Sequence, residues 1–450
     1  MQTQQIQNNN QNQKTDISNG VGSILIKNGH VIDPKNNIDE IMDVYVVDDR
    51  ISKVAKSITD QAHETIDAQG LVVTPGLLDL QVHFREPGRE DRETIETGSR
   101  AAIKGGVTSA VAMPNTTPVA DNQAAVEFML KRAKEIGLIN LYPTGAITRG
   151  QDGAMLAEMW ELKNSGAVAV TDDGVDVQNP GILRNAMEYA KTHDMLIMSH
   201  CETDSLTDGG VMHEGWVSTQ LGLPDTPAIS EDFAVEKNIM LAKLTGARLH
   251  LLHNSTKGAA EKIRRAKEEG HANITAEVSV QHFSLTDEEC LGYNTDAKMY
   301  PPLRSRSHVD AIIAAIKDGS IDTLTTDHAP HIEPDKLLPF EDAAMGSVGL
   351  ETSFAVMNTY LVERGHITLS QGIALMTHKP AEIIQVGRGS LEAGAFADIA
   401  IFDTQKEWTV DTSKFESKGK NCVFKNKKLK GKAVHVIVNG VIKMLDGEIL

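Results

Sequence analysis

The chain has 450 residues, 40 % of them apolar, enough to bury a large core or several domains. Its 44 Lys and Arg against 62 Asp and Glu leave a formal charge of −18 and a sequence pI near 5.3, which excludes general attraction to nucleic acid or an anionic membrane surface. Three scattered cysteines (Cys201, Cys290, Cys422) exclude a disulfide framework, and neither a membrane span nor a secretory apolar segment is readable, so a cytoplasmic protein is expected.

Residues 1–20 form a Gln/Asn tract with almost nothing to bury, and they are expected to be a disordered tail. Short β-prone runs follow: Ser23–Lys27, a turn at Asn28-Gly29, His30–Asp33, Asp43–Val47 and a turn at Asp48-Asp49. The same texture returns at Asp398–Phe402, Lys432–Val438 and Val441–Met444, so residues 21–76 and 390–450 are expected to build one small β domain together. Between them, over 77–389, buried-looking strands alternate with segments of helical length. The strands read at Leu77–His83, Val107–Met113, Leu141–Ile147, Ala167–Thr171, Leu196–His200, Leu249–His253, Ile274–Val280 and Thr323–Asp327. The helices include Ala120–Lys134, Ile182–Thr192, Phe233–Leu244, Ala259–Glu269 and Val309–Lys317, read as amphipathic or Ala-rich. Eight such strands point to an α/β fold, a closed (β/α)8 barrel.

A barrel of this kind carries its chemistry at the C-terminal ends of its strands. There the sequence places His83, Asp172-Asp173, His200, His253 and Asp327, each a residue that suits a divalent metal. Singly, each reads as a structural residue or a turn; their convergence on one barrel mouth points to a metal site. Cys201 neighbours His200, and adjacent strand residues face opposite ways, which argues against a nucleophile there. The basic run Lys425–Lys430 has no aromatic stacking platform and reads as a solvated loop, not a nucleic-acid site.

The run from Asp79 to Gly88 (DLQVHFREPG) resembles the signature of type I dihydroorotases, within the amidohydrolase superfamily. So do Ala112–Thr116, Thr171–Gly174, His200–Glu202, Lys298–Arg304, Thr326–His331 and Gly349–Thr352, in order and at nearly preserved spacing. The resemblance implies a barrel with a β-sandwich made from both chain ends. It implies zinc-dependent, reversible cyclisation of N-carbamoyl-L-aspartate to L-dihydroorotate in pyrimidine biosynthesis. His83, Asp173 and Asp327 would surround one metal, and Asp173, His200 and His253 a second. Asp327 would also shuttle the proton, while Arg85, Asn115 and His331 would hold the substrate carboxylate, and backbone at Met345 and Gly346 the ring. A homodimer, a small anionic substrate and association with aspartate transcarbamoylase are the partners it implies, with no nucleic acid or membrane among them.

The chain departs from that pattern at one mouth. Gln81 stands where the family has the first His of His-x-His, and its neutral amide oxygen is a poorer zinc ligand than imidazole. A metal is therefore expected at the second position, with the first weak or empty. Tyr300 replaces a substrate-contacting Asn, and Ser279–Phe283 replaces a Pro-His-His segment. Two other readings follow. One is a non-catalytic subunit scaffolding aspartate transcarbamoylase. The other is an allantoinase or dihydropyrimidinase, enzymes that bridge their metals with a carboxylated Lys at the end of strand four; here Lys163 lies before that strand.

Overall fold

The structure, a computed structural model, describes residues 22–450; the expected disordered tail lies outside the described residues. Eight parallel strands run in strict sequence order around the centre. They are β1 (Leu77–Val82), β2 (Val107–Ala112), β3 (Asn140–Gly145), β4 (Ala169–Val170), β5 (Leu196–Ser199), β6 (Leu249–Leu251), β7 (Ile274–Ser279) and β8 (Thr323–Thr325). The ring closes where Val82 pairs with His328 and the His83 amide donates to the His328 carbonyl at 2.8 Å. Each strand reads as a nearly continuous buried run because helices cover the outside and side chains fill the inside. The (β/α)8 expectation is met.

All eight strands end one or two residues earlier than the sequence suggests: β4 is two residues long, and β1, β5, β6 and β8 stop short of His83, His200, His253 and Asp327. The polar residues at the mouth therefore sit on the first residues of the loops. The helices start or end a few residues from expectation, at Gln123–Ile136, Pro180–Thr192, Ile229–Thr245, Lys257–Glu268 and Arg306–Asp318. Asn122, Asn179 and Thr256 cap three of them through side-chain oxygens, which fixes the starts.

Both chain ends share one further, nine-stranded sheet. Val72–Pro75 and Ile399–Thr409 pair antiparallel at its centre, joining the N-terminal strands to Lys428–Val438 and Val441–Leu445. Asn28-Gly29 does not form the expected turn. Ile24–Asp33 is one strand with a bulge there, Asn28 at φ 60°, and the bulge lets it pair with Glu64–Asp67 before it and Val72–Pro75 after it. A Cβ on Gly29 would lie 2.5 Å from Val73, so only glycine fits. The sheet buries its own cluster of Ile26, Val31, Val44, Val73, Ile399 and Ile437. Among the described residues no helix is long and apolar enough to cross a membrane. Of the basic run, Lys427 pairs with Glu289 at 2.8 Å and Lys430 with Glu363 at 2.9 Å.

Candidate active site

The residues at the strand ends converge. Asp173, His200 and His253 are buried, and one potential ligand atom from each lies within 4.8 Å of the others. His200 Nδ1 is 2.8 Å from His253 Nε2, and those atoms stand 3.7 and 3.5 Å from Asp173 Oδ1. On the other side of Asp173, His83 Nε2 lies 3.3 Å from Oδ2 and 3.1 Å from Asp327 Oδ1. Asp173 thus stands between two groups of side chains.

The electrostatics suit a cation. Burial opposes charge on Asp173, but the bonds to His200 and His253 outweigh it and hold the carboxyl well below its usual range. Burial likewise opposes a protonated His200, yet Asp173 and Glu202 raise it to about 10. A field that holds a proton there this firmly also favours a metal ion. Two imidazoles and a carboxylate are a donor set that zinc accepts in open catalytic sites, so the residues present fit a metal centre.

Gln81 points into the same space. Its amide nitrogen donates to Asp173 Oδ1 at 3.1 Å, and its Oε1 is buried without a partner. Tyr300 stacks on His200, ring centroids 5.3 Å apart and planes 23° apart. His282, in the segment that departs from the expected pattern, bonds the Pro301 carbonyl at 3.0 Å.

Arg85 has no ion-pair partner among the described residues; its Nε faces the Pro330 carbonyl at 3.4 Å, while Glu86 is taken by Arg132 and the Ile95 amide. Burial, then the charge of Arg92, lowers the Arg85 guanidinium to about 10. Burial, then Arg85, Arg92 and Lys336, pushes His331 down to about 2, and its Nδ1 has no partner. Arg92 is balanced by Asp335 at 2.7 Å, which leaves the Arg85 guanidinium without an ion-pair partner among the described residues and suited to a carboxylate. Asn115 accepts from His83 Nδ1 at 2.9 Å rather than only closing a turn. The Met345 carbonyl is bonded to His331 Nε2 at 2.8 Å, and the Gly346 carbonyl accepts from Asn421 and Lys336.

Arg85, His253 and Asp327 have φ of 61°, 31° and 49°, a left-handed region that costs a non-glycine residue about 1–3 kcal/mol. Several supports hold them there. Asp79, inside β1, bonds Thr325 Oγ1 at 2.6 Å and the Thr326 amide at 3.1 Å, fixing the end of β8. Glu231 takes the Ser255 and Thr256 amides at 2.8 and 2.9 Å, and so pins the loop after His253. Arg304, 3.3 Å away and buried, balances Glu231. Sequence reading gave neither Asp79 nor Glu231 a role; an acid inside an apolar run, as in LLDLQV, is the signal that Asp79 offered. Glu231→Ala strands the buried Arg304 charge, and a loss of about 3–5 kcal/mol is expected, visible as a lower Tm by calorimetry. A change below about 1 kcal/mol contradicts this role.

The neighbouring candidates face elsewhere. Asp172 accepts from the Ile147 and Thr148 amides at 2.8 and 3.1 Å. His328 pairs with Glu93 at 3.3 Å, and Cys201 is buried beside Asn238 with its thiol pushed up by burial. Lys163 bonds the carbonyls of His193 and Asp194.

A family model described as dihydro-orotase-like matches residues 70–259, and one described as the amidohydrolase family matches 260–443. A dihydroorotase of Pelotomaculum thermopropionicum is 47 % identical over 94 % of this chain and 99 % of its own length. One from Acetivibrio thermocellus is 44 % identical over 95 % and 100 %. Among solved structures, an L-hydantoinase from Arthrobacter aurescens superposes with a TM-score of 0.85 at 26 % identity, covering 95 % of this chain and 97 % of that one. A dihydropyrimidinase from Brevibacillus agri, at 21 % identity and a TM-score of 0.83, shares the fold over 95 % of this chain and 96 % of its own. With relatives this similar over nearly the full length, and the mouth residues in place, the chain belongs to the dihydroorotase family.

Proposed function

We propose that the chain is a zinc-dependent dihydroorotase that interconverts N-carbamoyl-L-aspartate and L-dihydroorotate in pyrimidine biosynthesis. The observation that carries the reading is the Asp173–His200–His253 cluster, facing Asp327 on one side of a mouth that also holds a half-buried Arg85 without an ion-pair partner among the described residues. Held by those three residues, zinc supplies Lewis acidity toward the scissile amide carbonyl and the attacking water. Arg85, with Asn115 and His331, binds the substrate carboxylate and sets the ring in the mouth. In ring opening Asp327 takes a proton from the attacking water and returns it to the amide nitrogen as the C–N bond breaks; in closure the same proton runs backward. Three free, buried cysteines fit a reducing compartment, the cytoplasm.

Gln81 supports a single metal. It spends its amide N–H on Asp173, and its oxygen is a weak ligand where imidazole would be a strong one. Elemental analysis of the zinc-saturated chain is expected to give one zinc per chain, lost on His200→Ala. Two zinc ions per chain, or one that survives His200→Ala, contradicts this.

Arg85→Met is expected to raise KM for dihydroorotate about 10²-fold, the worth of a charge-assisted bond, with a smaller effect on kcat. An unchanged KM removes Arg85 from the carboxylate site. The hydantoinase-like alternative loses ground at β4, where Lys163 bonds carbonyls outside the mouth. Dihydrouracil, which has no carboxylate for Arg85, is expected to be a poor substrate in the same assay.

A further inference from the structure

In the motif His200-Cys201-Glu202 an acid stands two residues past a candidate metal ligand. β5 ends at Ser199, so these residues open the loop that runs into the short helix Asp204–Thr207. Glu202 is 7 % exposed. A carboxylate withdrawn from water that far is costly unless charged or hydrogen-bonding partners replace the water. Among the described residues it pairs with no Lys or Arg, and the buried Arg304 is taken by Glu231. Its Oε1 accepts from the Thr207 hydroxyl, and its Oε2 lies 3.4 Å from His200 Nε2. The Thr207 hydroxyl is itself 3.1 Å from Ser230 Oγ, which accepts from the Thr203 amide at 3.0 Å. The helix Ile229–Thr245, which carries Ser230, thus anchors the carboxylate against the ring.

The contacts sort the two nitrogens of the His200 ring. Nδ1 faces the cluster, 2.8 Å from His253 Nε2 and 3.7 Å from Asp173 Oδ1, while Nε2 faces Glu202. A neutral imidazole donates from one nitrogen and offers a lone pair on the other, and an acceptor behind the ring decides which. Tyr300, stacked on the ring, restricts its tilt and leaves the edge contact with Glu202 to set its rotation. His83 is backed differently: its Nδ1 meets the Asn115 amide oxygen, a neutral acceptor, at 2.9 Å. A carboxylate behind an imidazole makes the ring a stronger donor to a metal than a neutral amide does.

We propose that Glu202 is a positioning residue for zinc. It fixes His200 with Nε2–H toward itself and the Nδ1 lone pair toward Asp173 and His253, and it strengthens that lone pair. The difference in backing selects one side of Asp173. The imidazole backed by a carboxylate shares its side with His253, and the one backed by an amide shares its side with Asp327. This role rests on the zinc reading of the Asp173–His200–His253 cluster and adds the residue that sets its affinity.

Zinc dissociation constants of the full chain, from competition with a chelator of known affinity, test this, with circular dichroism confirming the fold of each variant. Glu202→Gln keeps the shape and an acceptor oxygen but loses the charge, and zinc affinity is expected to fall about 10-fold. Glu202→Leu is expected to lose about 100-fold. Thr207→Val, which removes the anchoring hydroxyl and leaves both Glu202 and His200 in place, is expected to cost about threefold. Nuclear magnetic resonance of the zinc-loaded native chain, with isotope-labelled histidine, is expected to show His200 protonated at Nε2 and not at Nδ1. Affinity within about twofold of native in Glu202→Gln reduces Glu202 to a structural role and overturns the proposal, while leaving the zinc site standing. Zinc on His200 Nε2 overturns it equally. A native chain that takes up no zinc overturns the proposal and the zinc reading together.

Discussion

Replacing Asp327 by alanine is expected to lower kcat for ring opening by about 10³-fold, within the range a lost general acid–base costs, while bound zinc stays at the native level. The two halves of that expectation come from different contacts. Asp327 reaches His83 at 3.1 Å, on the far side of Asp173 from the His200–His253 pair, so a metal held by that pair does not depend on it. Among the described residues the proton it moves has no other carboxylate carrier so placed: Asp172 is consumed by backbone amides, and Glu277 is buried against His250 at 3.0 Å. Steady-state kinetics and elemental analysis on the same sample check both halves. A loss below tenfold would remove Asp327 from the proton path. Loss of zinc together with activity would make it a ligand instead.

Asp173→Ala is expected to have the larger consequence, abolishing both zinc and turnover. Among the described residues, Asp173 is the one carboxylate within 4 Å of His83, His200 and His253 alike. Removing an outer partner of a metal ligand commonly costs 10–100-fold in affinity, and removing one of three direct ligands costs more. Without Asp173 the two imidazoles also lose the charge that offsets their burial, and His200 loses part of what holds its proton. Competition with a chelator of known affinity reads the metal directly. Retention of stoichiometric zinc at native affinity would place the metal somewhere else in the mouth.

Much of this site was legible because the barrel turns sequence position into geometry. A strand end is a place at the mouth, so His83, Asp173, His200, His253 and Asp327 gather there from the sequence alone. The limit of that logic appears at Asp172 and Asp173. They are neighbours of the same type, yet one holds the loop after β3 and the other faces the histidines, and composition does not separate them. Glu231 and Arg304 were not legible either. They are 73 residues apart, and their pairing exists only once the helix after β5 packs against the loops after β6 and β7. The Asn28-Gly29 bulge imitates a turn because both need a positive φ at Asn28; the strand continues because Val73 packs against Gly29. The segment Phe233–Leu244 reads in the sequence as one more covering helix, since apolar periodicity identifies a helix without saying that its outer face is apolar as well.

The most direct test of the whole account follows dihydroorotate ring opening and carbamoyl-aspartate closure by ultraviolet absorbance. It uses the purified chain with zinc, then with a chelator, then with zinc restored. The account predicts turnover in both directions, lost with the chelator and regained with the metal. A folded, zinc-loaded chain that turns over neither compound, alone or with aspartate transcarbamoylase added, would contradict it.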